Sequence, residues 1–103
     1  MKYKLLYSPE AMDDLDEIWD YIFSELGNEI AAENTVDRIM NDVDLLCDFP
    51  ESGTPLQAIS RFPSVYRYIL SGSYRVFYFV KKETVYVVRI LYGRRDYMRI
   101  LFE

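Results

Sequence analysis

The chain is expected to fold as one α+β domain over residues 1–103, an N-terminal strand followed by an antiparallel two-helix hairpin packed on an antiparallel sheet, in the order β-α-α-β-β-β. Three observations lead there. Apolar residues recur at helical spacing in two stretches separated only by Gly27-Asn28. Val-, Ile- and Tyr-rich runs bounded by polar turns fill residues 65–92. A length of 103 residues, half of them apolar, is enough for a single hydrophobic core.

Each element has its own justification. Lys2–Tyr7 is short and rich in Tyr and Leu, as a first strand would be. Ser8-Pro9-Glu10 then signals a helix start: the serine can cap, proline suits the first turn, and the acids that follow favour the positive end of the dipole. The apolar face of this helix reads Ala11, Leu15, Ile18, Trp19, Ile22 and Leu26, and Gly27 supplies the stop. Asn28 can cap a second helix whose face reads Ala32, Val36, Ile39, Met40, Val43, Leu46 and Cys47, ended by Pro50. The short link makes the pair an antiparallel hairpin. Residues 51–64, with Gly53, Pro55 and Pro63 and no clear period, form a loop, as a packed connector or a functional one. Strands follow at Val65–Leu70, Tyr74–Val80 and Thr84–Tyr92, joined by Ser71-Gly72-Ser73 and Lys81-Lys82-Glu83. Gly93 breaks the last strand, and a tail ending Ile100-Leu101-Phe102 is expected to pack back on the body.

Composition narrows the chemistry. The net charge of −5 divides unevenly: residues 1–50 hold 13 acids and 3 bases, residues 51–103 hold 4 acids and 9 bases. That asymmetry points to an electrostatic partner, although acidic helix surfaces and arginine-bearing strands would also account for it. A pI near 4.7 argues against broad nucleic-acid binding and leaves room for a focused basic patch. The ten tyrosines suggest a wide, half-buried sheet surface with wet hydroxyls. The single Cys47 excludes an intrachain disulfide and reads as a buried structural thiol, and Trp19 reads as core by its spacing. With no histidine, the commonest general base and metal ligand is missing, and no metal or other cofactor is expected. No signal peptide or membrane span follows Met1, so a cytoplasmic location without membrane contact is expected.

The carboxylates Asp13, Asp14, Asp16, Glu17 and Asp20 read as the solvated outer face of the first helix rather than as a metal or acid–base site. The arginines stand apart. Arg67, Arg75 and Arg89 lie on three successive strands, and Arg94 and Arg95 follow Gly93 directly. Arginine suits bidentate contacts to phosphate or carboxylate, so these groups point to anion recognition of a phosphate or of an acidic protein surface. The alternative is internal pairing, for example with Asp96, and it weighs most for Arg89 in mid-strand.

Several segments in this order resemble the RelE/ParE superfamily of toxins from type II toxin–antitoxin modules. They are Tyr7-Ser8-Pro9-Glu10-Ala11, Ile18-Trp19-Asp20-Tyr21-Ile22, Gly53-Thr54-Pro55-Leu56, Tyr66-Arg67, Tyr74-Arg75-Val76-Phe77-Tyr78 and Gly93-Arg94-Arg95-Asp96. The resemblance implies the same helical hairpin on a sheet, a growth inhibitor neutralised by a cognate antitoxin in a heterotetramer or larger complex, and a role of the plasmid-stabilisation kind. The Gly-Arg-Arg-Asp ending is closest to ParE-like members, which implies binding and poisoning of DNA gyrase without nuclease activity. The residues implied for target or antitoxin binding are Arg67, Arg75, Arg94, Arg95 and Tyr97. RelE-type members instead cut mRNA on the ribosome. On that alternative Arg67, Arg75, Arg95 (or Arg94) and Tyr97 would be catalytic. Ile69 and Leu101 stand where that mechanism expects a lysine and a tyrosine, which counts against it. A third alternative is an inactive relative that only binds an antitoxin.

Overall fold

The computed structural model describes residues 2–56, 65–93 and 97–102. Strand β1 (Lys4–Tyr7) leads into helices α1 (Pro9–Leu26) and α2 (Glu29–Asp44), and α2 runs on into a single 3-10 turn at Leu45–Cys47. Strand β2 (Thr54–Pro55) precedes the meander β3 (Arg67–Ser71), β4 (Tyr74–Lys81) and β5 (Thr84–Tyr92), and α3 (Tyr97–Phe102) follows. The sheet order is β1-β5-β4-β3-β2. The pairs from β2 to β5 are antiparallel, as the turn signals imply, whereas β1 joins β5 in parallel. The helical hairpin carries the chain back across the sheet, so β1 can add to the far edge in the same direction as β5. Two short elements lie beyond what periodicity can register: the two-residue β2 inside the expected loop and the six-residue α3 in the tail.

The helix starts follow the capping residues. Ser8 accepts from the Ala11 amide at 3.0 Å, Asn28 accepts from the Ala31 amide at 3.1 Å, and Gly27 closes α1 in the left-handed region at φ 59°. Both strand turns place a positive φ at their first residue, Gly72 at 57° and Lys82 at 54°.

The sheet has a packed face on each side. Val76, Tyr78, Val85, Val87 and Ile90 meet Ala11, Leu15, Ile18, Ile39, Val43 and Leu46 of the helices. On the other face Phe77 and Leu91 bury with Leu56, and Ile100 and Leu101 of α3 pack against them, so the tail does return to the body. Position Val88 has no partner on β4, since Tyr78 pairs with Val87 and Phe77 with Arg89; this bulge keeps both Val87 and Ile90 on the helix face. Several expected core positions are outside it. Leu26 is 67 % exposed and Met40 38 %, and Trp19 is half-buried, stacked on Phe23 at 5.2 Å. The tyrosines are not uniformly wet: the Tyr78 ring and hydroxyl are fully buried.

Candidate functional site

Alternation along the strands separates the predicted arginines. Arg67 pairs in register with Tyr78 and Arg75 with Leu70, so Arg67 and Arg75 stand on opposite faces of the sheet. Arg67 Nη1 donates to the carbonyls of Gly53 at 2.9 Å and Glu51 at 3.3 Å. Beside it the Tyr78 hydroxyl donates to the Pro50 carbonyl at 2.8 Å and accepts from the Gly53 amide at 2.9 Å. These two side chains hold the start of the long connector onto β3 and β4. Burial pushes the Tyr78 phenol upward, and the Gly53 amide and Arg67 oppose that shift. Gly53 has no room for a side chain: a Cβ there would lie 2.9 Å from the Tyr68 carbonyl oxygen.

Arg89 belongs to a different assembly. Its Nε and Nη2 donate to the two carboxylate oxygens of Asp14 at 2.8 and 2.9 Å, and the Ile90 amide donates to the same carboxylate at 2.9 Å. The Asp14 side chain is 6 % exposed and that of Arg89 25 %. The paired carboxylate raises the Arg89 pKa further. Asp14 is therefore not on the solvated helix face expected of it. It closes the edge of β5 beyond the end of β1, together with Ser8, whose hydroxyl donates to the Val88 carbonyl at 2.8 Å. Internal pairing is realised for Arg89, with Asp14 as the partner. The signal was present in the sequence, since Asp14 falls on the stripe Ala11-Leu15-Ile18 at spacings of three and four.

Arg75 is half-buried on the face opposite the helices, with its Nε out of contact with solvent. Its guanidinium lies 5.0 Å from the centroid of the Tyr68 ring, a cation–π contact. The chain leaves β5 next to it: a Cβ on Gly93 would lie 3.9 Å from Arg75 Nε and 3.2 Å from the Ser73 carbonyl oxygen. Gly93 thus brings the strand end against Arg75. Arg94, Arg95 and Asp96 lie outside the described residues, as does the side chain of Tyr97, which opens α3.

The matched family model is described as the ParE toxin of the type II toxin–antitoxin system parDE, and it covers residues 5–97. The chain belongs to the ParE toxin family. It is 33 % identical to Toxin ParE1 of Mycobacterium tuberculosis over 102 residues, which is 98 % of this chain and all of that protein. The ParE-family fold is matched by a chain of the chromosomal ParDE system from P. aeruginosa, with a TM-score of 0.74 and 23 % identity over 88 % of this chain and 96 % of that one. A chain of the toxin–antitoxin complex RelBE2 from Mycobacterium tuberculosis aligns with a TM-score of 0.61 and 20 % identity over 89 % of this chain and 99 % of that one. Among the described residues no group of three or more His, Cys, Asp or Glu side chains could hold a metal ion, and no helix is long and apolar enough to cross a membrane.

Proposed function

We propose that this ParE-family toxin arrests growth by binding and poisoning DNA gyrase in the cytoplasm, and that a cognate antitoxin neutralises it within a heterotetramer or larger complex. The observation that carries this reading is the division of Arg67 and Arg75 between the two sheet faces. A nuclease site built on both would have to bring them to one phosphate. Arg67 is instead bound to carbonyls of the connector. The absence of histidine from the chain adds support for a binding inhibitor over a general acid–base catalyst. The residues assigned to anion recognition on the target are Arg75 and, beyond Gly93, Arg94 and Arg95, with Tyr97 behind them; Arg67 serves the fold.

The test is a supercoiling and cleavage-complex assay with purified gyrase, using the wild-type chain and Arg75→Ala. Inhibition by the wild type, weakened at least about tenfold in the variant, supports the reading. No effect of folded wild-type protein on gyrase, with codon-phased mRNA cuts in cells, would transfer the assignment to a ribosome-dependent endoribonuclease.

A further inference from the structure

The two edges of the sheet are built differently. At one end stands β2, two residues long and closed by Pro55, which has no N–H to offer a further strand. At the other end stands β1, four residues with neither proline nor bulge. Its Lys4 amide and the Ser8 amide that follows it donate inward to the Glu83 and Val87 carbonyls, both at 2.8 Å. Alternation therefore turns the N–H and C=O groups of Leu5 and Tyr7 outward, where no described residue pairs with them. The Tyr3 amide is taken by the Cys47 carbonyl at 2.8 Å and Pro9 has no N–H, so the open edge is Leu5–Tyr7. The Leu5 and Tyr7 side chains pack on the helix-side core, and Leu6 between them is 54 % exposed on the other face.

An antiparallel copy of this edge fits it. Two-fold pairing has to set residues with outward backbone groups opposite one another. With the axis at Leu6, Leu5 of each copy faces Tyr7 of the other, and each such pair exchanges both of its N–H···O=C bonds. Leu6 then meets Leu6 of the partner as a close, non-hydrogen-bonded pair, Lys4 faces Ser8, and no like charges are opposed. An axis at Leu5 would set Lys4 against Leu6 instead. The strand ends agree with the Leu6 axis. The same register carries Lys2 of one copy to Glu10 of the other, with Asp13 exposed one turn further on. It also sets Tyr3 opposite Pro9. Phe49, 62 % exposed, shares a shallow hollow with Tyr3, and Met12, 46 % exposed, lies in the helical turn that Pro9 opens, so two uncovered apolar side chains come together on each side of the axis.

We propose that a second copy of this chain docks on β1, joining two sheets into one through a two-fold axis at Leu6. The proposal stands apart from the toxin's target, because Arg75 and Gly93 lie at the opposite end of β4 and β5 from the segment that pairs with β1. An edge this short gives a weak dimer, with a dissociation constant on the order of tens of micromolar. The test is sedimentation velocity of the whole chain, free of antitoxin, from about 5 to about 500 µM, with amide hydrogen exchange at both ends of that range. The chain is expected to be monomeric at the low end and dimeric at the high end. Exchange should slow with concentration at Leu5 and Tyr7 but not at Lys4 and Leu6, whose amides already point to β5. Leu6→Lys, which sets two ammonium groups face to face, should weaken the dimer about tenfold. Lys2→Glu and Glu10→Lys should each weaken it several-fold and the double variant should recover it, a readout that holds even where Leu6→Lys disturbs the strand. A monomer across the whole range would overturn the proposal. So would a dimer indifferent to Leu6→Lys and to the charge reversals, or concentration-dependent protection confined to another element such as α2.

Discussion

Replacing Asp14 by alanine removes a buried carboxylate from three donors at once. The Arg89 guanidinium loses contacts of 2.8 and 2.9 Å, and the Ile90 amide loses its acceptor at 2.9 Å. Breaking a buried ion pair from one side costs about 3–5 kcal/mol, because the remaining charge is stranded. Arg89 is a quarter exposed, so water screens part of that loss and places this term near the lower end. The orphaned Ile90 amide adds about 1–3 kcal/mol, and the two terms share one carboxylate, so they do not sum fully. The expected destabilisation is about 3–5 kcal/mol, a large fraction of the stability of a domain this size. Urea unfolding followed by circular dichroism should show the midpoint falling by about 1–5 M with an unchanged slope. Asp14→Asn should lose less, because it keeps an acceptor for the Ile90 amide. The double variant Asp14→Leu/Arg89→Met should also lose less than Asp14→Ala, because no charge is left unpaired. A loss below about 1 kcal/mol in Asp14→Ala would refute the claim that this carboxylate closes the β5 edge.

Three further outcomes follow from local geometry. Tyr78→Phe deletes the hydroxyl that holds Pro50 and Gly53, and should cost about 2–4 kcal/mol in chemical denaturation and speed hydrogen exchange at Gly53. Lys82 holds φ at 54°, so Lys82→Gly should gain about 0.5–1 kcal/mol in the same measurement. Burial, with Asp44 and Cys47 nearby, pushes the Tyr7 phenol up to about 12. A folded-state value above the ordinary 10 means that this contribution is intact below pH 10 and is lost as pH rises through about 12. Tyr7→Phe should therefore flatten the alkaline decline in stability between those values. At neutral pH it should cost little, since the Tyr7 hydroxyl has no hydrogen-bond partner among the described residues.

The helices were legible because their signals are local: Ser8, Gly27 and Asn28 punctuate two apolar stripes, and each occupies the cap its chemistry suggests. The meander was legible for the same reason, through runs of Val and Tyr interrupted by Gly72 and by Lys82-Glu83. What the sequence hides is long-range. The parallel partner of β1 is some eighty residues away, and nothing in Lys4–Tyr7 identifies it. The separation of Arg67 from Arg75 could be read only once the register of β3 on β4 was known, because a one-residue shift would have put them on the same face. The Asp14–Arg89 pair lies between these cases: a carboxylate on an apolar helix stripe and an arginine within an apolar strand each imply a partner, and only the fold joins them. The connector shows the same limit, since Tyr78 and Arg67 tie it down from strands that follow it in the chain.

The most direct test of the central claim is pulse labelling of DNA and protein synthesis in bacteria within minutes of inducing this chain alone. If the toxin acts on gyrase, DNA synthesis fails first and protein synthesis follows, and co-expressed antitoxin prevents both. Protein synthesis failing first, with DNA synthesis sustained, would contradict the account.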